Sequence, residues 1–330
     1  MNRSMQGRAR WLAAIFRSER GHHAAAGATL LLSPRRFLSA QALITAFYVV
    51  LGFFAVNNLF SWSSYLATAE VTPRWPVFWL RYVPLESGIL FILGVHLLGG
   101  LLALSGPRGR PARIFVFFSL LQFLAFKFSF GSINHGDHLG VLIAFVLIFL
   151  PAEWRSFPAA SRQDRVATLL VFSGVQGMIL LTYSMAGLWK VGGVVEQLLR
   201  GEVTYLHPQG LAQQVAHKLL SSQNPSLLGP WLIEYAWIGW PLIVAALYLE
   251  FFALWAAPRP SLHAFWGLGL ILLHISTHLT MGVGFAQNSL WLGLFLVQSP
   301  FRPAHFEGKH VWGALPGSHL LARPRLGRKS

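Results

Sequence analysis

Long apolar runs broken by short basic stretches set the pattern of this chain. Nearly charge-free segments recur at about Phe37–Phe60, Ser87–Ser105, Ile114–Ile133, Leu139–Leu150, Val166–Trp189 and Trp231–Ala257. A further run, Pro260–Phe301, holds no Asp, Glu, Lys or Arg over 42 residues. That is too long for one crossing, because about 20 apolar residues span a bilayer. MGVGFAQN (Met281–Asn288) is its natural break. The pattern predicts an all-α polytopic bundle of about eight membrane spans over residues 37–301. Residues 1–36 and 302–330 read as basic tails, the first either lying on the membrane surface as a basic amphipathic helix or running free.

Between the spans lie recognisable connectors. Trp62, Tyr65, Trp75 and Trp79 give residues 61–86 the aromatic content of an interfacial loop or half-helix. GPRGRPAR is a tight basic turn, and PAEWRSFPAASRQDR a second basic loop. Residues 191–230 form the longest polar segment, with short helical patterns at VVEQLLRG and LAQQVAHKLL. Pro241 is placed to kink the sixth span. The amino terminus does not read as a signal peptide, since Trp11–Phe16 is too short an apolar core and arginines follow it.

Composition agrees with a membrane protein: charged residues make up 11% of the chain, against about 25% in soluble domains. The formal charge of +15 would suggest nucleic acid in a soluble protein. Here the cations sit in tails and short loops, so they read as topology and no nucleic-acid partner is expected. With eight crossings both termini share one side, and 20 of the 26 Lys and Arg fall on it. The positive-inside rule then places both termini in the cytosol of a multi-pass cell-membrane protein, with membrane lipid as its surroundings. There is no cysteine, which excludes disulfides, thiolate zinc sites and thiol nucleophiles.

Candidate chemistry gathers on the expected outer side. Lys190 closes the 24-residue uncharged run Val166–Trp189 within YSMAGLWKVGG. It either snorkels to water or turns inward as a tuned base. NHGDH (Asn134–His138) separates the third and fourth spans, and Lys127 lies within the third. His135 and His138 either orient a substrate or make loop hydrogen bonds; no third ligand stands near them, so no metal is predicted. His274 and His278, four apart, share a helix face, and HISTH lacks the glutamate of the HExxH zinc motif. Intramembrane histidines are either functional or interhelical hydrogen-bonding groups. Glu250, expected near the inner end of the sixth span, is either a proton relay or a buried structural partner. A transporter would need a continuous polar path, for which the inner halves offer little beyond Glu250, and no internal repeat is evident.

Three motifs in order carry a family resemblance. YSMAGLWKVGG with the later LHPQGL, INHGDHLGVLIAFVLIFLP, and HISTHLTMGVGFAQNSLWLGLFLVQSPF resemble segments of vitamin K-dependent gamma-glutamyl carboxylases. These belong to the wider HTTM (horizontally transferred transmembrane domain) family. The resemblance covers about Phe37–Phe301. It implies that Lys190 is the base acting on a reduced quinone, of the vitamin K hydroquinone or menaquinol type. Oxygen and carbon dioxide would be co-substrates. His135 and Asn134 would hold or polarise the quinone, with Asp137, His138, His274 and His278 lining its site. Trp189 stands where the family has the first of two paired lysines. The family's large lumenal domain has no counterpart in the resemblance, so a secreted or membrane protein substrate is left open by it. The contrasting expectation is a non-enzymatic scaffold or partner-binding subunit of the same fold.

Overall fold

The structure is a computed structural model that describes residues 33–66, 71–104, 109–131, 135–155, 158–222, 225–303 and 308–318. All regular secondary structure among them is helical. The elements are α1 (Pro34–Leu66), α2 (Leu85–Leu104), α3 (Gly109–Phe128), α4 (His138–Leu147) and α5 (Arg162–Leu199). They continue with α6 (Gly210–Ser222), α7 (Gly229–Glu234), α8 (Gly239–Phe251), α9 (Pro260–Met281), α10 (Ala286–Leu292) and α11 (Gly308–Ala314). Five helices are long and apolar enough to cross a membrane: α1 over Pro34–Asn58, and α2, α3, α5 and α9. Three shorter apolar helical stretches, His138–Leu147, Ala236–Phe251 and Ala286–Val297, fall where the remaining expected spans lie.

Differences from the sequence pattern have local causes. α5 does not stop at Lys190 but runs through Gly192 and Gly193 to Leu199. Glycine costs only about 1 kcal/mol per helical site relative to alanine, which a 38-residue helix tolerates. At this length α5 is about 57 Å long, well beyond the ~30 Å hydrocarbon layer. The stretch read as a sixth span is divided into α7, a 3₁₀ turn at Ala236–Ile238, α8, and a second 3₁₀ turn at Ala253–Ala256. Pro241 stands in the first turn of α8, where a helix lacks partners for its N–H groups anyway, so no kink is needed. The break expected at MGVGFAQN is present: α9 ends at Met281, and Gly282 takes the left-handed conformation (φ 67°) with its N–H on the His278 carbonyl at 2.9 Å.

The described chain divides into two compact units. The first comprises Ala25–Ile179 and Gly284–Phe295. In it α2 and α3 are close neighbours. A side chain at Gly99 would stand 3.2 Å from the Val116 backbone nitrogen, so the small residue permits the approach. His96 and Ser119 share a buried hydrogen bond of 3.0 Å across the same pair. Ile92, Leu93 and Phe126 form its apolar centre. A second centre stacks Phe47 of α1 on Trp291 and Phe295, with Phe172 of α5 beside Phe295.

The second unit comprises Leu180–Val283 and the described residues from Leu296 to Ser318. The indole of Trp266 on α9 donates to the Leu249 carbonyl of α8 at 2.8 Å. His263 bonds Ser299 at 3.1 Å and the Ala257 carbonyl at 3.2 Å. Ser226 donates to the Leu279 and Thr280 carbonyls at 3.0 and 2.8 Å, satisfying acceptors that the end of α9 leaves open.

Candidate functional site

Tyr183, Gly187 and Lys190 lie four and three residues apart on α5, so they share one face. This face meets the end of α8. A Cβ at Gly187 would overlap the backbone of Phe251, so the chains touch with no side chain between them. Ser184 secures the join, donating to the Phe251 carbonyl at 3.0 Å and accepting from the Leu254 N–H at 2.8 Å. The residue before Phe251 is Glu250, which is thereby delivered to Lys190.

The Lys190 ammonium donates to both carboxylate oxygens of Glu250, at 2.7 Å to Oε1 and 2.5 Å to Oε2. The pair is asymmetric: the Glu250 side chain is 8% exposed and that of Lys190 45%. A carboxylate that deep needs a cation or a proton. The lysine supplies the cation while its stem reaches the surface. A second polar pair lies two helical turns away on the same face: the Tyr183 hydroxyl and His274 Nε2 share a buried hydrogen bond of 2.5 Å. The pairs are within electrostatic range of one another, Glu250 with Tyr183 and Lys190 with His274. Four proton-exchanging groups from α5, α8 and α9 thus form one cluster inside apolar helices.

Of the residues expected from the sequence, Lys190 and His274 meet here. His278, one turn beyond His274, is exposed and takes no part in the cluster. Asn134 lies outside the described residues. His135 opens a 3₁₀ turn, His135–Asp137, and its side chain lies outside them too. Asp137 accepts from Lys127 Nζ at 2.6 Å, and the His138 ring stands edge-on to Phe128 at 5.2 Å. Both belong to the first unit, where the Lys127–Asp137 pair borders a cavity of about 110 Å³ also lined by His96, Asn58 and Gln287.

Tyr183 was not singled out, and Glu250 was singled out only as a relay or buried partner away from Lys190. Glu250 was expected near the opposite end of a crossing from Lys190; hydrogen-bonded to it, it stands at the same level instead. Tyr183 carries a signal that was available, since its spacing of seven from Lys190 is two helical turns. Compared with protein-family models, curated proteins and solved structures, the chain matches none.

Proposed function

We propose that the protein is a multi-pass cell-membrane enzyme of carboxylase-like, quinol-dependent type, with the Lys190–Glu250 pair as its acid–base centre. Support comes from one observation above all: Lys190, Glu250, Tyr183 and His274 converge within apolar helices, where ionisable groups are costly and so mark function. A lysine ammonium cannot act as a base. Glu250, already hydrogen-bonded to it, is the acceptor through which the amine could be freed to act as a base. The amine can then take a proton from a hydroxyl, and the returning ammonium steadies the oxyanion left behind. The hydrogen-bonded Tyr183 and His274 offer a donor and an acceptor to orient a second oxygen. Trp189, 85% exposed beside Lys190, gives a flat apolar surface suited to a lipid-soluble ring. A reduced quinone of the vitamin K hydroquinone or menaquinol type would supply the electrons for oxygen, with carbon dioxide as the carbon co-substrate.

The same reading takes eight crossings and cytosolic termini from the loop charges. It requires Glu250 to be drawn into the sixth crossing rather than to stand at its cytosolic end. Because the chain has no native cysteine, single cysteines at Arg155 and Lys218 should label from opposite sides of the membrane. The function is tested by oxygen uptake. The protein in lipid nanodiscs should consume oxygen when given vitamin K hydroquinone or menaquinol, and Lys190→Ala should abolish it. No uptake by the native chain with either quinol would contradict the proposal.

A non-enzymatic scaffold is favoured by a different observation: the half-exposed Lys190 and buried Glu250 are also what a clamp between α5 and α8 requires. In that case Lys190→Ala changes stability alone.

A further inference from the structure

Arg113, in the second turn of α3, is 1% exposed. One of its nitrogens, Nη2, donates to the Leu150 carbonyl at 2.6 Å. Nε and Nη1 have no hydrogen-bond partner among the described residues. The ion pairs among those residues are Lys127–Asp137, Lys190–Glu250 and Arg200–Glu196, so Arg113 belongs to none of them. A buried guanidinium with two idle donor nitrogens is among the most costly arrangements a fold can hold, unless an anion reaches it.

The residues lining the space around it add a second cation and no acid. Arg113 and Arg110 line an open cleft of about 420 Å³ with the segment Phe149–Ala152, within the ~300–1,000 Å³ range of small-molecule sites. Gly109 leaves room for the guanidinium, since a Cβ there would stand 2.8 Å from Nη1. The Tyr48 hydroxyl is within electrostatic range of Arg113. The Tyr48 ring stands beside that of Trp154, centroids 6.4 Å apart. Tyr48 Oη and Trp154 Nε1 are likewise buried without a partner among the described residues. The imbalance is of donors. What it lacks is a group rich in acceptor oxygens and negative charge, and two arginine forks match a phosphate. Both cations come from the basic turn GPRGRPAR, which sequence reading counts only as a topological marker, and the opposite wall, Phe149–Ala152, leads into the second basic loop.

We propose that the cleft between the start of α3 and Phe149–Ala152 is a phosphate-binding site, with Arg113 as its buried anchor and Arg110 at its rim. The phosphate comes either from an anionic phospholipid headgroup or from free phosphate. Thermal unfolding of the full chain in detergent, followed by tryptophan fluorescence, distinguishes these. One arm adds phosphatidylglycerol, one phosphatidylcholine and one inorganic phosphate. A saturable rise in melting temperature of about 3 °C or more is expected with phosphatidylglycerol or inorganic phosphate, and a smaller one with zwitterionic phosphatidylcholine. A response to phosphatidylglycerol alone identifies the lipid headgroup; a response to inorganic phosphate identifies a site open to the free anion. Arg113→Gln should weaken binding at least about tenfold, as expected for hydrogen bonds to a charged group. Should Arg113→Gln not fold, the exposed Arg110→Gln and the isosteric Tyr48→Phe carry the test, each raising the half-saturation concentration about fivefold. No saturable shift with either anion, or shifts that persist unchanged in these variants, overturns the proposal.

Discussion

Each compact unit holds one lysine paired with an acid inside otherwise apolar helices, and the two pairs are built differently. In the first unit Lys127 and Asp137 are both partly exposed, at 24% and 20%, and border a cavity. In the second unit Glu250 is almost fully buried and Lys190 alone reaches the surface. Either member of the first pair can be solvated if the other leaves. Glu250 cannot, because Gly187 and Ser184 hold the backbone beside it against α5. The contrast teaches that exposure, more than distance, separates an ion pair that can be dispensed with from one the fold depends on. The second pair shares its helix contact with Tyr183 and His274, which lie within electrostatic range of it.

Substitutions break this comparison in graded steps. Lys190→Met leaves the buried Glu250 carboxylate alone and should cost about 3 kcal/mol of stability, read as a large drop in melting temperature in detergent. Gly187→Ala forces a methyl group into the Phe251 backbone and should cost about 2 kcal/mol while leaving all four polar groups in place. Lys127→Met removes the partner of a partly hydrated carboxylate, so about 1 kcal/mol is expected from the same measurement. Tyr183→Phe, which deletes one hydroxyl from the pair with His274, should also cost about 1 kcal/mol. If Lys127→Met proves as damaging as Lys190→Met, exposure is not what separates the pairs.

Much of the fold was legible in the order of apolar and basic segments. Five expected spans coincide with helices long and apolar enough to cross, and the others fall on shorter apolar helical stretches, because a long charge-free run has few alternatives to a helix. Gly282 was legible as a break for the same reason that it works as one: it tolerates a positive φ. Continuation of α5 past Lys190 was not, since paired glycines weaken a helix without ending it. The site was half legible. Lys190 and His274 stood out as polar groups in apolar context, but the partner of Lys190 lies 60 residues away on another helix. No periodicity in one segment reports a tertiary pairing. Arg113 was hidden for a different reason: a loop arginine satisfies the charge bias whether it faces water or is buried.

The central claim is that the Lys190–Glu250 pair performs chemistry and is not only a clamp. Replacing both charges by apolar groups of similar size, Lys190→Met with Glu250→Leu, should recover most of the stability that Lys190→Met loses, because no unpaired charge remains. Quinol-dependent oxygen uptake by this double variant, normalised to folded protein in nanodiscs, is the decisive measurement. The account predicts a native-like melting temperature with no uptake. Uptake that returns together with stability would contradict it.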